Sequence, residues 1–174
     1  MCSSDLDRTG AAANSVYGAT DEAYIADIYY AASAQIVAKA AEVLGLEETR
    51  QEYQKIADRQ WQVVKEEYFT ATGRCAVKTQ TGLILALKYH LSENEELTKQ
   101  MLQKLLRDNK NKLNTGFVGT PLLCNVLTDH GMTDAAYRLL LNKEYPGWLH
   151  EVKLGATTVW ERWNSLDESG HVSS

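Results

Sequence analysis

The sequence has too little of several things to support the commoner functions. Basic residues are outnumbered, 18 Lys and Arg against 23 Asp and Glu, for a formal net charge of −5. No basic stripe is left to neutralise phosphates, which argues against a nucleic-acid partner. A neutral or cationic small ligand fits that balance better. Cysteine is scarce: Cys2, Cys75 and Cys124 are odd in number and far apart. They make no disulfide framework and contain no CxxC pair of the kind zinc sites use. Cys124, inside an apolar run, reads as a buried free thiol, and the whole pattern suits a reducing compartment, hence a cytoplasmic protein. No apolar run approaches the ~18 residues needed to span a bilayer, so no membrane partner is expected. The opening, "MCSSDLDRTGAAANSVYG", has no continuous hydrophobic region of the signal-peptide type, and residues 1–17 are expected to be poorly ordered or foreign.

Short catalytic words are also missing. There is no GxxxxGK[ST], no GxGxxG after a strand and no GxSxG. His150-Glu151 begins like a zincin helix, but position 154 is Leu where a second ligand would stand. The four histidines, His90, His130, His150 and His171, are scattered, so no metal and no cofactor is implied. His90 and His130 lie near expected helix C-termini, where they suit the helix dipole.

What is present is helix after helix. Residues 21–44 place Ile25, Ile28, Tyr29, Ala32, Ile36, Ala40 and Val43 at helical spacing, with Thr20 or Asp21 as cap and Gly45 as stop. Residues 47–68 repeat the face with Tyr53, Ile56, Ala57, Trp61, Val64 and Tyr68. A third helix runs from Thr79 to Leu91. Ser92 and Glu95 form a capping box for a fourth, which carries Leu97, Met101, Leu102, Leu105 and Leu106. Thr120-Pro121 reads as cap and first position of a fifth helix ending at His130-Gly131, and Thr133-Asp134 opens a sixth that runs to about Asn142. This is an all-α array of antiparallel hairpins. No alternating strand series competes with it, and no fixed-period repeat is visible.

From Lys143 the helical period fades into "KEYPGWLHEVKLGATTVWERW", read as irregular with short extended pieces. Three of the four tryptophans, Trp148, Trp160 and Trp163, fall here among Glu144, Tyr145, His150, Glu151, Glu161 and Arg162. Aromatic faces stack on sugar rings, and carboxylates do the acid–base work of glycoside hydrolysis. An extended 158–163 would put Glu161 and Trp163 on one side, Trp160 and Arg162 on the other. Tryptophans are, however, most often core anchors, and Glu-Arg neighbours most often a surface pair. Composition alone leaves both readings open.

The order of the words favours one of them. Residues 115–165, from "TGFVGTP" through "AAYRLLLNKEYPGW" to "GATTVWERW", resemble the C-terminal part of the catalytic domain of bacterial α-L-rhamnosidases. Upstream, "TDEAYIADIYYAASAQIVAKAAEVLG" and "KTQTGLILAL" resemble the family's preceding helices, so the likeness covers roughly residues 18–168, and residues 18–174 are expected to form one partial domain. The resemblance implies roughly half of an (α/α)6 toroid, a fragment of an enzyme that hydrolyses terminal α-L-rhamnosides with inversion. It implies Glu161 as general base, Trp160, Trp163 and Trp148 around the sugar, and a rhamnose-containing oligosaccharide or glycoside as partner. The family's general acid lies upstream, in an acidic stretch with no counterpart here, and its histidine-bearing segment after "WERW" has none either. Two other functions remain: a non-catalytic hairpin module binding carbohydrate or protein, and a toroid glycosidase of another sugar specificity.

Overall fold

A computed structural model describes residues 20–160, 163 and 165. Seven helices occur among them: α1 (Glu22–Val43), α2 (Glu47–Tyr68), α3 (Gln80–Lys88), α4 (Glu95–Asp108), α5 (Thr120–Asp129), α6 (Thr133–Leu140) and α7 (Trp148–Lys153). Six match the expected helices. No strand forms among the described residues; the only extended pairing there is an isolated bridge between Phe69 and Cys75.

Successive helices pair as hairpins, α1 with α2, α3 with α4 and α5 with α6, while α3 also packs on α5 and α1. The centre is α3, in which every residue from Gln80 to Leu87 is buried. Its Leu83, Ile84 and Leu87 meet Leu102 and Leu106 of α4, Leu123 and Leu127 of α5, and Tyr24 and Ile28 of α1 in one core. At the N-terminal end of α3 the Thr79 hydroxyl caps Gly82 N and contacts the Thr20 hydroxyl at 2.7 Å. The buried Tyr24 hydroxyl donates to Gly82 O at 3.0 Å. Asp27 joins α1 to α2 by accepting from Gln60 and from Tyr68, both at 3.0 Å.

Four details of the sequence reading are corrected. On α1 the buried side is Tyr24, Ile28, Ala31, Ala32, Ala34, Ala38 and Ala41, which includes the expected Ile28 and Ala32, while the expected core residues Ile36 and Val43 are 67% and 86% exposed. This helix is apolar nearly all round, so periodicity cannot choose its face; the alanine side lets the α2 backbone approach. The cap of α4 is Asn94, which accepts from Leu97 N, because the Ser92 hydroxyl donates to Gly73 O and already accepts from Asn94 N. Its supposed partner Glu95 contacts His90 Nδ1 at 2.6 Å. Gly119, not Thr120, occupies the cap of α5, since the Thr120 hydroxyl turns back to Thr115 at 2.9 Å. Finally, Cys75 is the buried free thiol, with Cys124 only half-buried. Asp21 caps α1 through Tyr24 N, and Gly45 stops it with φ of +70°. His130 caps the C-terminus of α5 and His90 follows that of α3. Among the described residues no helix is long and apolar enough to cross a membrane.

Candidate active site

The N-terminal ends of α3 and α5 lie side by side and build a floor. Gln80, fully buried at the start of α3, uses both ends of its amide: Nε2 donates to Lys112 O at 3.0 Å and Oε1 accepts from Asn114 N at 2.8 Å. This fixes the turn before α5, and with it the carbonyl of Thr115. That carbonyl accepts from the Trp163 indole Nε1 at 3.2 Å. Trp148 packs against Trp163 edge to face, with ring centroids 5.4 Å apart at 79°. Edge-to-face pairs of this kind are favoured by the ring quadrupoles.

Trp148 is presented by α7, the helix absent from the sequence reading. The segment before α7 is tied down: Asn142 accepts from Glu144 N and donates to its carbonyl, and Lys112 Nζ meets Glu144 Oε2 at 3.0 Å and Tyr145 O at 3.1 Å. The Lys112 ammonium holds the Glu144 carboxyl below its usual value. Tyr145 packs edge-on to His150. Gly155, at φ of +92°, turns the chain out of α7 in a left-handed conformation that a β-carbon would disfavour.

Between α7 and Trp160 sits Glu151. It is 3% exposed, its Oε2 accepts from Trp160 N at 3.3 Å, and its Oε1 is buried without a partner among the described residues. Burial pushes its carboxyl above the ordinary value of 4.5, and the Trp160 N–H partly offsets this. The folded chain therefore keeps a proton that the unfolded chain has already lost, so stability falls as pH rises from the ordinary carboxylate value through the raised one. Glu151→Gln removes that dependence. Thermal melts should show the variant gaining on the wild type as pH rises through this window, with the two converging below it.

Of the expected site residues, Trp148 and Trp163 come into contact, and the Trp160 amide is held by Glu151 of α7, the helix that carries Trp148. Glu161 and Arg162 lie outside the described residues, and with them two of the four side chains in the alternation expected over 158–163; residues 157–160 join no strand. Of four candidate carboxylates for an opposing acid, Asp21 caps α1, Asp27 is held by Gln60 and Tyr68, Glu151 is enclosed, and Glu22 stands exposed in the first turn of α1. Gln80 and Thr115 are site residues that no motif in the sequence singles out.

The sequence model described as the bacterial alpha-L-rhamnosidase 6 hairpin glycosidase domain matches residues 5–174. The chain belongs to this family. Among its relatives, the alpha-L-rhamnosidase of Formosa agariphila is 39% identical over 155 residues, covering 87% of this chain and 17% of that protein. The crystal structure of the native Aspergillus terreus rhamnosidase superposes with a TM-score of 0.86 at 30% identity, over 97% of this chain and 20% of that one. The Streptomyces avermitilis rhamnosidase, solved with L-rhamnose, gives 0.78 at 34% identity over 87% of this chain and 15% of its own. The chain spans 15–17% of the length of the curated relatives it matches. Its three described hairpins are half of the six that name the rhamnosidase domain.

Proposed function

We propose that this chain is the base-bearing half of a six-hairpin glycosidase domain, acting on terminal α-L-rhamnosides with inversion at the anomeric carbon. One observation carries the reading. The two most specific rhamnosidase-like words, "TGFVGTP" and "GATTVWERW", are far apart in sequence, yet Trp163 of the second donates its indole N–H to the carbonyl of Thr115 in the first. A relative solved with L-rhamnose shares this part of the fold.

On this reading Glu161 is the general base. Its carboxylate takes a proton from a water held on the face of the sugar opposite the glycosidic bond, and that water attacks the anomeric carbon as the leaving group departs. Charge develops on the ring in an oxocarbenium-like transition state, which a carboxylate nearby stabilises. Trp163, Trp148 and Trp160 offer apolar faces for the C–H side of the rhamnose ring and its methyl group. The general acid is assigned to none of the four candidate carboxylates: Asp21 and Asp27 are held in caps and helix contacts, Glu22 is exposed on α1, and the Glu151 carboxyl is enclosed.

The sugar is tested by offering 4-nitrophenyl α-L-rhamnoside beside the corresponding α-D-mannoside and β-D-glucoside. A nitrophenolate leaves with little help from an acid, so the base half of a site suffices to show itself. Turnover confined to the rhamnoside is the expected result. Turnover of another glycoside instead would change the sugar, and binding without any hydrolysis would favour a carbohydrate-binding module.

A further inference from the structure

Glu151 is anomalous for its place. It lies on the last short helix, and its backbone carbonyl already closes the turn by accepting from Leu154 N and Ala156 N, both at 3.0 Å. Yet its side chain is buried, with one carboxyl oxygen on the Trp160 amide and the other on nothing among the described residues. A buried oxygen without a partner is costly, and an apolar side chain would fill the same space without that cost. The one polar task visible for this side chain is to hold the amide of the residue that precedes Glu161.

We propose that Glu151 is a positioning residue: from α7 it clamps the Trp160 amide and so fixes the backbone entering the Trp160–Trp163 segment. The clamp and the turn closed by its carbonyl act together, so α7, Gly155 and Trp160 move as one piece. Trp163 provides the other end of the restraint through Thr115 O. Glu151 is not a proton donor to substrate, because Oε1 is enclosed and Oε2 is occupied. Burial shifts the carboxyl toward its protonated form, and in either form Oε2 can accept the amide N–H. The consequence for catalysis rests on the reading of Glu161 as the base; the clamp itself does not.

The test reads the Trp160 amide directly in the full chain, by hydrogen exchange followed with NMR. In the wild type that amide should exchange slowly, and Glu151→Gln, which keeps an acceptor oxygen, should leave it within about threefold of that rate. Glu151→Leu, which fills the space without an acceptor, should speed it by at least about tenfold while the α3 amides stay unchanged. A wild-type Trp160 amide exchanging at the rate of an unbonded one, or equal protection in the leucine variant, overturns the clamp. Should the leucine variant fail to fold, slow exchange in both the wild type and Glu151→Gln supports the clamp. Fast exchange in either overturns it. With 4-nitrophenyl α-L-rhamnoside, Glu151→Leu should lower kcat about tenfold or more with KM nearly constant, and Glu151→Gln should restore it. A change in KM alone contradicts a role in placing the base. Full turnover in Glu161→Gln would remove the base reading and leave the amide result standing.

Discussion

Glu161→Gln is expected to lower kcat for 4-nitrophenyl α-L-rhamnoside by roughly 10²–10⁴-fold, the range general-base catalysis supplies. KM should change little, because the variant keeps the size and hydrogen-bonding oxygen of the side chain and loses only the ability to take a proton. The nitrophenyl substrate isolates the base, since its leaving group needs little protonation. Steady-state kinetics of the two proteins side by side, with circular dichroism showing equal helix content, checks the expectation. A decrease below about threefold would be too small for a general base and would leave Glu161 as one residue of an aromatic pocket.

Gly82→Ala should destabilise the fold although helix propensity alone predicts the opposite. Alanine inside a helix is worth about 1 kcal/mol over glycine. Here a β-carbon at position 82 would stand 2.7 Å from Val77 Cγ1, 2.8 Å from the Val77 backbone oxygen and 3.0 Å from the Thr79 hydroxyl. A side chain could swing away, but the carbonyl of the chain entering α3 cannot without moving that entry. Overpacking of this kind costs about 1–3 kcal/mol and occasionally more, and a backbone collision belongs at or beyond the upper end. A net loss near 2 kcal/mol is expected, which for a chain of this size lowers Tm by about 4–8 °C. The same shift would disturb Gln80 and the turn it holds, and hence Thr115 O beneath Trp163. A melt showing Gly82→Ala as stable as the wild type would mean that the entry to α3 is looser than the structure shows.

The fold was legible where several local signals agreed. Asp21 and Gly45 bracket α1, Thr79 opens α3 and Gly131 follows α5, and each boundary has a cap or a left-handed residue that the composition announces. Legibility failed where two signals competed. Ser92 and Asn94 both precede α4 and both can cap; the choice is made by the bonds of Ser92, which donates to Gly73 O across the fold and accepts from Asn94 N. The burial of α1 was misjudged because Ile36 and Val43 look like core on a helix with no polar face. Six residues of α7 are too few to display a period, and the Tyr-Pro-Gly before them reads as a loop.

The site divides in the same way. The gathering of Trp148, Trp160 and Trp163 is visible as composition, and the meeting of Trp148 with Trp163 follows it. Thr115 was invisible because its contribution is a backbone carbonyl, which no residue type signals. In the sequence Glu151 stands out only as the second residue of an incomplete metal-site word, His150-Glu151 with Leu at position 154. Its burial depends on α7, so its contact with Trp160 could not be read before that helix was known.

The measurement that tests the central claim most directly is the anomeric configuration of the first sugar released. The chain is mixed with 4-nitrophenyl α-L-rhamnoside and proton NMR spectra are recorded from the first minutes, before mutarotation equilibrates the product. A base that activates water opposite the glycosidic bond predicts β-L-rhamnose first, with the α anomer growing in later. Release of α-L-rhamnose first would require a covalent intermediate or attack from the same face. That result, or no rhamnose at all from folded protein, would contradict the account.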